Sequence, residues 1–388
     1  MDDLLLKEIN IRQEKCKKFA SDRGYEALLI LGKGPERVGD LMYLANHQPL
    51  LPGHPRRYTF RGRGYSILIL PLDGSPVLTV TTPFYEDDIV VSIIRFNNNL
   101  LAEVASVLRE KGLEAADIGI VGMDILPVAL YRDLEKEVPK ARFFTADDIV
   151  MNIRAQKSDY EISILKEGAR ISDIAAKAVR EFLVPGKTEA EAAGLIVDVL
   201  TSHGVTSAFA TCQSGERSKE PYDHVPASNK IIENGDMVHM EINGRYKGYM
   251  IDVCRSTVVG DIDKNQRHIL EITLKMLEDS IKFTKPGIRA EELELISGNI
   301  AKEYGFGKNH TAAYGGPGTY LGHAIGLGVD EPPVLAKGDK TLLKPGMVLA
   351  IEPGIYRTPW GGCRIEDEVL VIEDGAEVLN TYDRKWYD

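Results

Sequence analysis

Four acidic residues sit where the sequence otherwise reads as buried β-strand, and with one histidine they could hold a metal ion. Glu241 and Asp252 lie in Gly235–Thr257, GDMVHMEINGRYKGYMIDVCRST. There Met237–Ile242 is apolar and β-prone, Asn243-Gly244 predicts a hairpin turn, and Tyr246–Val253 returns as a second strand. Glu352 lies six residues after Gly346, which opens another apolar strand, as Glu241 lies six after Gly235; Glu366 follows Glu352 as Asp252 follows Glu241. A carboxylate in a strand with a buried face is costly unless something pairs with it. Four close together cannot all ionise unaided, because like charges raise each other's pKa. A divalent cation answers both problems. The imidazole candidate is His323, in Gly322-His-Ala-Ile-Gly-Leu-Gly328, whose glycines allow close backbone approach. Carboxylates with one imidazole suit manganese, iron, cobalt or zinc.

The elements that would position these groups form a weak internal repeat. Phe182–Glu191 (FLVPGKTEAE) and Phe283–Glu292 (FTKPGIRAEE) each set a Pro-Gly turn before an amphipathic helix with acids in its first turn. The two helices are predicted to end at Gly204 and Gly305. Two related α–α–β units facing each other would bring the four acids to one centre; chance is the competing reading of so short a repeat.

The first half of the chain carries no such constellation. A helix over Leu4–Arg23 ends at Gly24, and strands are predicted at Ala27–Leu31, Tyr65–Pro71, Pro76–Thr81 and Ile118–Gly122. Helices are predicted at Leu100–Lys111 and Leu130–Glu137. Strands alternating with helices imply an α/β layer of roughly 150 residues, with neither a GxGxxG turn nor a phosphate loop. It reads as a packing or oligomer-forming domain. His47 and His54 read as loop residues, and Arg56, Arg57, Arg61 and Arg63 as a solvated loop or an anion or substrate contact. A boundary near Asn152–Ser158 divides the chain into 1–153 and 154–388, and a long helix follows over Asp159–Phe182.

Composition narrows the function classes. The 388 residues suit two domains. A net charge of −11 argues against nucleic acid or an anionic membrane as partner. Cys16, Cys212, Cys254 and Cys363 form no CxxC pair, which excludes a zinc knuckle and fits a reducing cytosol. The N-terminal stretch lacks the apolar region of a signal peptide. Apolar runs such as Tyr65–Leu70 fall far short of a membrane span.

The residues also carry a resemblance. The chain resembles the pita-bread metallohydrolases (prolidase, aminopeptidase P, creatinase and the methionine aminopeptidases), and most of all the Xaa-Pro aminopeptidase and Xaa-Pro dipeptidase group. Tyr246–Thr257 (YKGYMIDVCRST) resembles that branch's second metal-Asp motif, and Gly322–Gly326 (GHAIG), followed by Glu331-Pro-Pro333, its metal-His motif. Ala350–Gly354 (AIEPG) and Arg364–Glu368 (RIEDE) resemble its metal-Glu motifs, and His224 its substrate-side histidine. The resemblance implies a creatinase-like α/β N-terminal domain followed by an α+β pita-bread catalytic domain with pseudo-two-fold symmetry. It implies one or two divalent cations and a homodimer. Asp252 and Glu366 would bridge two cations, His323 and Glu352 would complete one, and Glu241 the other. Glu352 would shuttle protons, His224 would bind the substrate carbonyl oxygen and the oxyanion formed from it, and Arg364 would orient ligands or substrate. The implied reaction is hydrolysis of an amide bond, often the bond before proline.

Two positions depart from that branch. Residue 241 is Asp in the peptidases and Glu here, so a displaced second cation or a one-cation site stays open. Seven residues after His323, where the peptidases carry a histidine, stands Asp330, which either recognises a cationic substrate group or is a solvated loop acid. Position 319 is Thr where many relatives have His. A creatinase-like or ectoine-hydrolase-like enzyme, or a lyase, acting on a small non-peptide substrate is the alternative function, and a non-catalytic binding protein of the same fold the second. Among the remaining candidates, Arg255 and Thr257 read as supports for the ligands. His239 is predicted to point away from the face of Met240, His310 to lie in a Gly-rich loop, and Tyr314 and Tyr320 to be packing residues.

Overall fold

The hairpin that carries Glu241 and Asp252 turns later than its Asn-Gly pair predicts. Its strands run Met237–Tyr246 and Tyr249–Val258, and Lys247-Gly248 makes the turn with φ of 47° and 87°. Positive φ at both central residues is the twist-matched two-residue hairpin turn. Asn243 and Gly244 stay in the ladder, opposite Asp252 and Ile251. Gly244 is there for close approach: a Cβ on it would stand 2.4 Å from Val205 Cγ1 and 3.3 Å from the Ala208 Cα. The later turn sets a register in which Asn243 faces Asp252 and Cys254 faces Glu241.

The structure is a computed structural model that describes residues 3–34, 37–49, 61–82, 84, 89–221, 225–310 and 320–387. Its backbone contacts divide it into two units, Met1–Arg154 and Ala155–Asp388.

The first unit runs α1 (Asp3–Asp22), β1 (Ala27–Lys33), α2 (Gly39–Ala45), β2 (Tyr65–Pro71), β3 (Val77–Val80), β4 (Ile94–Phe96), α3 (Leu100–Glu110), β5 (Asp117–Val121), α4 (Val128–Glu137), β6 (Arg142–Thr145) and α5 (Asp147–Arg154). Its six strands make one mixed sheet, ordered β4-β3-β2-β1-β5-β6. β2 is buried along its whole length, as its unbroken apolar run requires. Leu101, Val104 and Leu108 of α3 and Leu130 and Leu134 of α4 join Leu29, Ile67 and Ile120 in the core. His47 follows α2 outside any element and is buried, with Nε2 2.9 Å from Ser66 Oγ. Arg61 pairs with Asp133 inside this unit; His54, Arg56 and Arg57 lie outside the described residues.

The second unit opens with α6 (Asp159–Phe182) and α7 (Glu189–Ser202), both started by capping boxes at Ser158 and Thr188. β7 (Thr206–Ala210) and β8 (Gln213–Ser214) follow and pair with β9, the first strand of the hairpin, whose second strand is β10. Then come α8 (Lys264–Phe283), α9 (Ala290–Glu303), β11 (Tyr320–Ala324), β12 (Glu331–Ala336), β13 (Val348–Ile351), β14 (Gly354–Thr358), β15 (Gly361–Arg364), β16 (Asp367–Ile372) and β17 (Gly375–Val378). β12-β11-β13-β16-β17 form a second sheet. Apolar faces of α6 and α7 pack on β9 and β10, and those of α8 and α9 on β11, β13 and β16. The two Pro-Gly turns behave alike. Gly186 and Gly287 have φ of 97° and 87°, and their N–H groups donate to Ile232 and Leu343.

The two sheets are joined along β10. Glu366 N donates to Cys254 O at 3.0 Å, Arg364 N to Ser256 Oγ at 2.9 Å, and Met250 N to Gly326 O at 2.7 Å. Arg255, fully buried, donates to Asp367 Oδ1 at 2.8 Å and to the Glu366 carbonyl. Breaking a buried pair costs about 3–5 kcal/mol because it strands one charge. The prediction specific to the revised register concerns Gly244. Gly244→Ala overpacks the gap to Val205 and is expected to lower unfolding stability in urea by about 1–3 kcal/mol. An unchanged urea midpoint would show that the gap is not tight.

Candidate metal centre

The joined strands deliver the predicted acids to one place. Asp252 sits in mid-β10, its N–H donating to Glu368 Oε1 at 2.9 Å. His323 sits in β11 opposite Ala350, and Glu352 follows the end of β13, with its N–H on Leu321 O at 2.9 Å. Glu366 lies between β15 and β16. One ligand atom from each of Asp252, His323 and Glu366 lies within 4.8 Å of the others. His323 Nδ1 lies 3.0 Å from Ala324 O, so a proton there leaves Nε2 facing the acids. Nε2 is 3.5 Å from Asp252 Oδ2, 3.6 Å from Glu352 Oε1 and 3.6 Å from Asp330 Oδ1.

Glu241 is held differently. Its Oε1 accepts from Arg364 Nη2, and Arg364 Nη1 lies 2.9 Å from Glu352 Oε2. The guanidinium is buried and spans the two acids. The Asn243 amide stands between the two hairpin acids and donates its nitrogen to Asp252 Oδ1 at 2.7 Å and to Ile251 O at 3.1 Å.

The charge state without a cation follows from burial. Burial and the neighbouring Asp252, Glu352 and Glu241 charges push Glu366 well above the usual carboxylate range. Burial and the Asp252 charge do the same to Glu368. Burial favours neutral His323, but Asp252, Glu352 and Asp330 outweigh it and raise the imidazole to about 9. Both Glu366 oxygens are buried without a hydrogen-bond partner among the described residues. Such orphaned acceptors beside a carboxylate and an imidazole fit a divalent cation.

Several residues escaped the sequence reading or change role. Tyr320, expected as packing, donates its hydroxyl to Glu352 Oε1 at 3.1 Å, with Asp330 Oδ1 3.4 Å from the same hydroxyl oxygen. Burial, then the charges of Glu352 and Asp330, keep its phenol protonated. Asn243 and Glu368 were not singled out by sequence either. His239 is fully buried, edge-on to the Tyr356 ring at 5.8 Å. His310 is buried against Ser297 Oγ at 2.8 Å rather than facing substrate. Thr257 bonds the Trp386 carbonyl at 2.8 Å. His224, Tyr314 and Thr319 lie outside the described residues.

Above the acids is a cavity of about 210 Å³, walled among the described residues by Ser207, Phe209, Met250, Tyr320, Val329 and Asp330. Phe209 and Val329 give it a half-exposed apolar rim, and Asp330 a half-exposed acid. The space is small beside the roughly 300–1,000 Å³ of drug-sized ligand pockets.

Comparison with known proteins gives the family. Residues 163–373 match the model of metallopeptidase family M24. The chain is 37% identical to the Xaa-Pro dipeptidase of Pyrococcus furiosus over 96% of its own length and 99% of that protein. It is 33% identical to that of Pyrococcus horikoshii over 97% and 99%. The crystal structure of the prolidase from Pyrococcus horikoshii OT3 superposes with a TM-score of 0.82 at 30% identity, over 97% of this chain and 99% of that one.

A cation must displace the protons favoured by the acids at His323 and by burial and repulsion at Glu366. A group whose pKa is raised to about 9 stabilises the cation-free protein fully below its ordinary 6.5 and loses that contribution as pH rises through 9. Glu366 acts in the same direction. In chelator, the melting temperature is expected to fall between pH 6.5 and 9. The rise in melting temperature on adding manganese should grow over the same interval. A manganese effect that shrinks as pH rises would contradict the assignment.

Proposed function

The chain belongs to metallopeptidase family M24, and we propose that it uses this centre to hydrolyse the Xaa-Pro bond of dipeptides. The observation that carries the proposal is the meeting of Asp252, His323 and Glu366 around two orphaned carboxylate oxygens, under a small cavity. The likeness to Xaa-Pro dipeptidases along nearly the whole chain supplies the substrate class. Asp252, His323, Glu352 and Glu366 would hold the cation, which we take to be manganese, cobalt, iron or zinc. When bound it supplies Lewis acidity, polarising the scissile carbonyl and acidifying water.

The protein's own groups do the rest. Glu352 Oε1 takes the proton of the attacking water and delivers it to the leaving proline nitrogen. Arg364 fixes the other oxygen of Glu352, which holds that carboxylate at one angle. Tyr320 stays protonated and donates to the same Oε1, which fixes the direction of that oxygen. His224 donates to the carbonyl oxygen and to the oxyanion that develops from it. Asp330, at the cavity mouth, pairs with the dipeptide's α-ammonium group, and the Phe209 and Val329 rim accepts an apolar ring.

We assign residues 1–153 to a creatinase-like N-terminal domain and 154–388 to a pita-bread catalytic domain built by duplication. The six-stranded α/β sheet and the matched Pro-Gly turns support that division. The family resemblance supports a homodimer, and four buried free cysteines support residence in the cytosol.

A panel of Xaa-Pro dipeptides, Xaa-Ala dipeptides and Xaa-Pro-Xaa tripeptides tests the proposal with manganese-loaded protein. The Xaa-Pro dipeptides should give the highest kcat/KM. Glu352→Gln should lower kcat by about 10²–10⁴-fold, the range for a lost general acid–base. Asp330→Asn should act mainly on KM. Absence of turnover for every Xaa-Pro dipeptide would rule the assignment out.

A further inference from the structure

We propose that this centre is built for one divalent cation per chain, with the Arg364 guanidinium standing as the fixed positive charge where a second cation would need Glu241. The inference rests on the metal-centre reading above and concerns how many ions the site takes.

The acids divide into two sets. Asp252, His323 and Glu366 converge within 4.8 Å, and both oxygens of Glu366 lack any hydrogen-bond partner among the described residues. Glu352 adds an oxygen 3.6 Å from the same imidazole nitrogen. That set is a cation site with its donors waiting. Glu241 is outside it. Its Oε1 is committed to Arg364 Nη2. A second ion at Glu241 would have to separate that carboxylate from a buried guanidinium and then sit beside it, two cations in one desolvated space.

Arg364 has little freedom to withdraw. Its N–H donates to Ser256 Oγ at 2.9 Å, and its carbonyl accepts from Ser256 Oγ at 2.7 Å and Cys254 Sγ at 3.6 Å. Its other terminal nitrogen is held 2.9 Å from Glu352 Oε2. The side chain is thus anchored at the backbone, at Glu352 and at Glu241, in a region where arginine cannot lose its charge. The length of Glu241 completes the arrangement: its extra methylene relative to Asp carries the carboxylate to the guanidinium.

The test counts ions on the full-length protein. Protein stripped with chelator is dialysed against rising manganese, bound metal is counted by mass spectrometry, and the manganese is examined by electron paramagnetic resonance. One ion per chain at saturation, with the spectrum of an isolated ion, is expected. Glu241→Gln should keep one ion per chain, its affinity falling by no more than the roughly 10–100-fold of a residue behind the ligands. Glu366→Gln should abolish saturable binding while the circular dichroism spectrum stays unchanged. Two ions with a spin-coupled spectrum in the wild type, reduced to one by Glu241→Gln, would overturn the proposal and leave the metal-centre reading standing. No saturable manganese binding in the wild type would overturn both. The wild-type count needs no variant to fold.

Discussion

Mutual repulsion among Glu241, Asp252, Glu352 and Glu366, each no more than 6% exposed, is the constraint around which the second unit is arranged. Carboxylates so placed raise one another's pKa and cost free energy to bury. They stay together because the backbone leaves them no exit. β10 and the 364–368 segment are joined by Glu366 N to Cys254 O, Arg364 N to Ser256 Oγ and Asp252 N to Glu368 Oε1. Behind them, Arg255 ties the Glu366 carbonyl to Asp367, which Arg384 also grips. The cost of gathering the acids is met by these backbone hydrogen bonds and by a buried ion pair that does not line the cavity.

Three kinds of positive partner then share the acids. Arg364 takes one oxygen each from Glu241 and Glu352. When no cation is present, burial and repulsion favour protons on Glu366 and Glu368, and the neighbouring carboxylates favour one on His323 against the effect of burial. What is left over is Glu366, whose oxygens find no donor among the described residues. A site in which every lone pair was satisfied would be a structural network. One with two orphaned oxygens beside an imidazole has room for an ion.

The acids were legible in the sequence because they stand in or beside apolar runs that read as buried strand, where only pairing makes them tolerable, and His323 because its glycine-rich stretch resembles a metal-His motif. Helix starts such as Ser158 and Thr188 were legible because capping is local chemistry. The hairpin turn was misplaced for a non-local reason: Asn243-Gly244 has turn chemistry, but Gly244 is needed where β7 runs close. Lys247-Gly248, less conspicuous as a pair, makes the bend. Tyr320 was read as packing because nothing in its neighbours shows that Glu352, 32 residues away, lies under its hydroxyl. The capture of Glu241 by Arg364, 123 residues apart, is equally invisible to spacing.

The imidazole and the cavity wall are not independent here, and the loop after β11 shows why. Asp330 has φ of 57°, a left-handed conformation that a short polar side chain reaches more readily than most. It is held there from both sides. Its N–H lies 3.3 Å from His323 Nδ1, and the next residue, Glu331, accepts from Gly328 N at 2.8 Å and from the buried Lys157 Nζ at 3.2 Å. The backbone of Asp330 therefore sits against one nitrogen of the imidazole while its carboxylate stands 3.6 Å from the other. Across the cavity Ser207 also has a left-handed backbone, φ 50°, at an irregularity in β7. Strained backbone on both walls of one cavity is the pattern expected where side-chain direction matters more than local stability. The side chain of residue 330 both lines the cavity and stands beside Nε2, so a change confined to it alters the cavity wall and the charge beside the imidazole together.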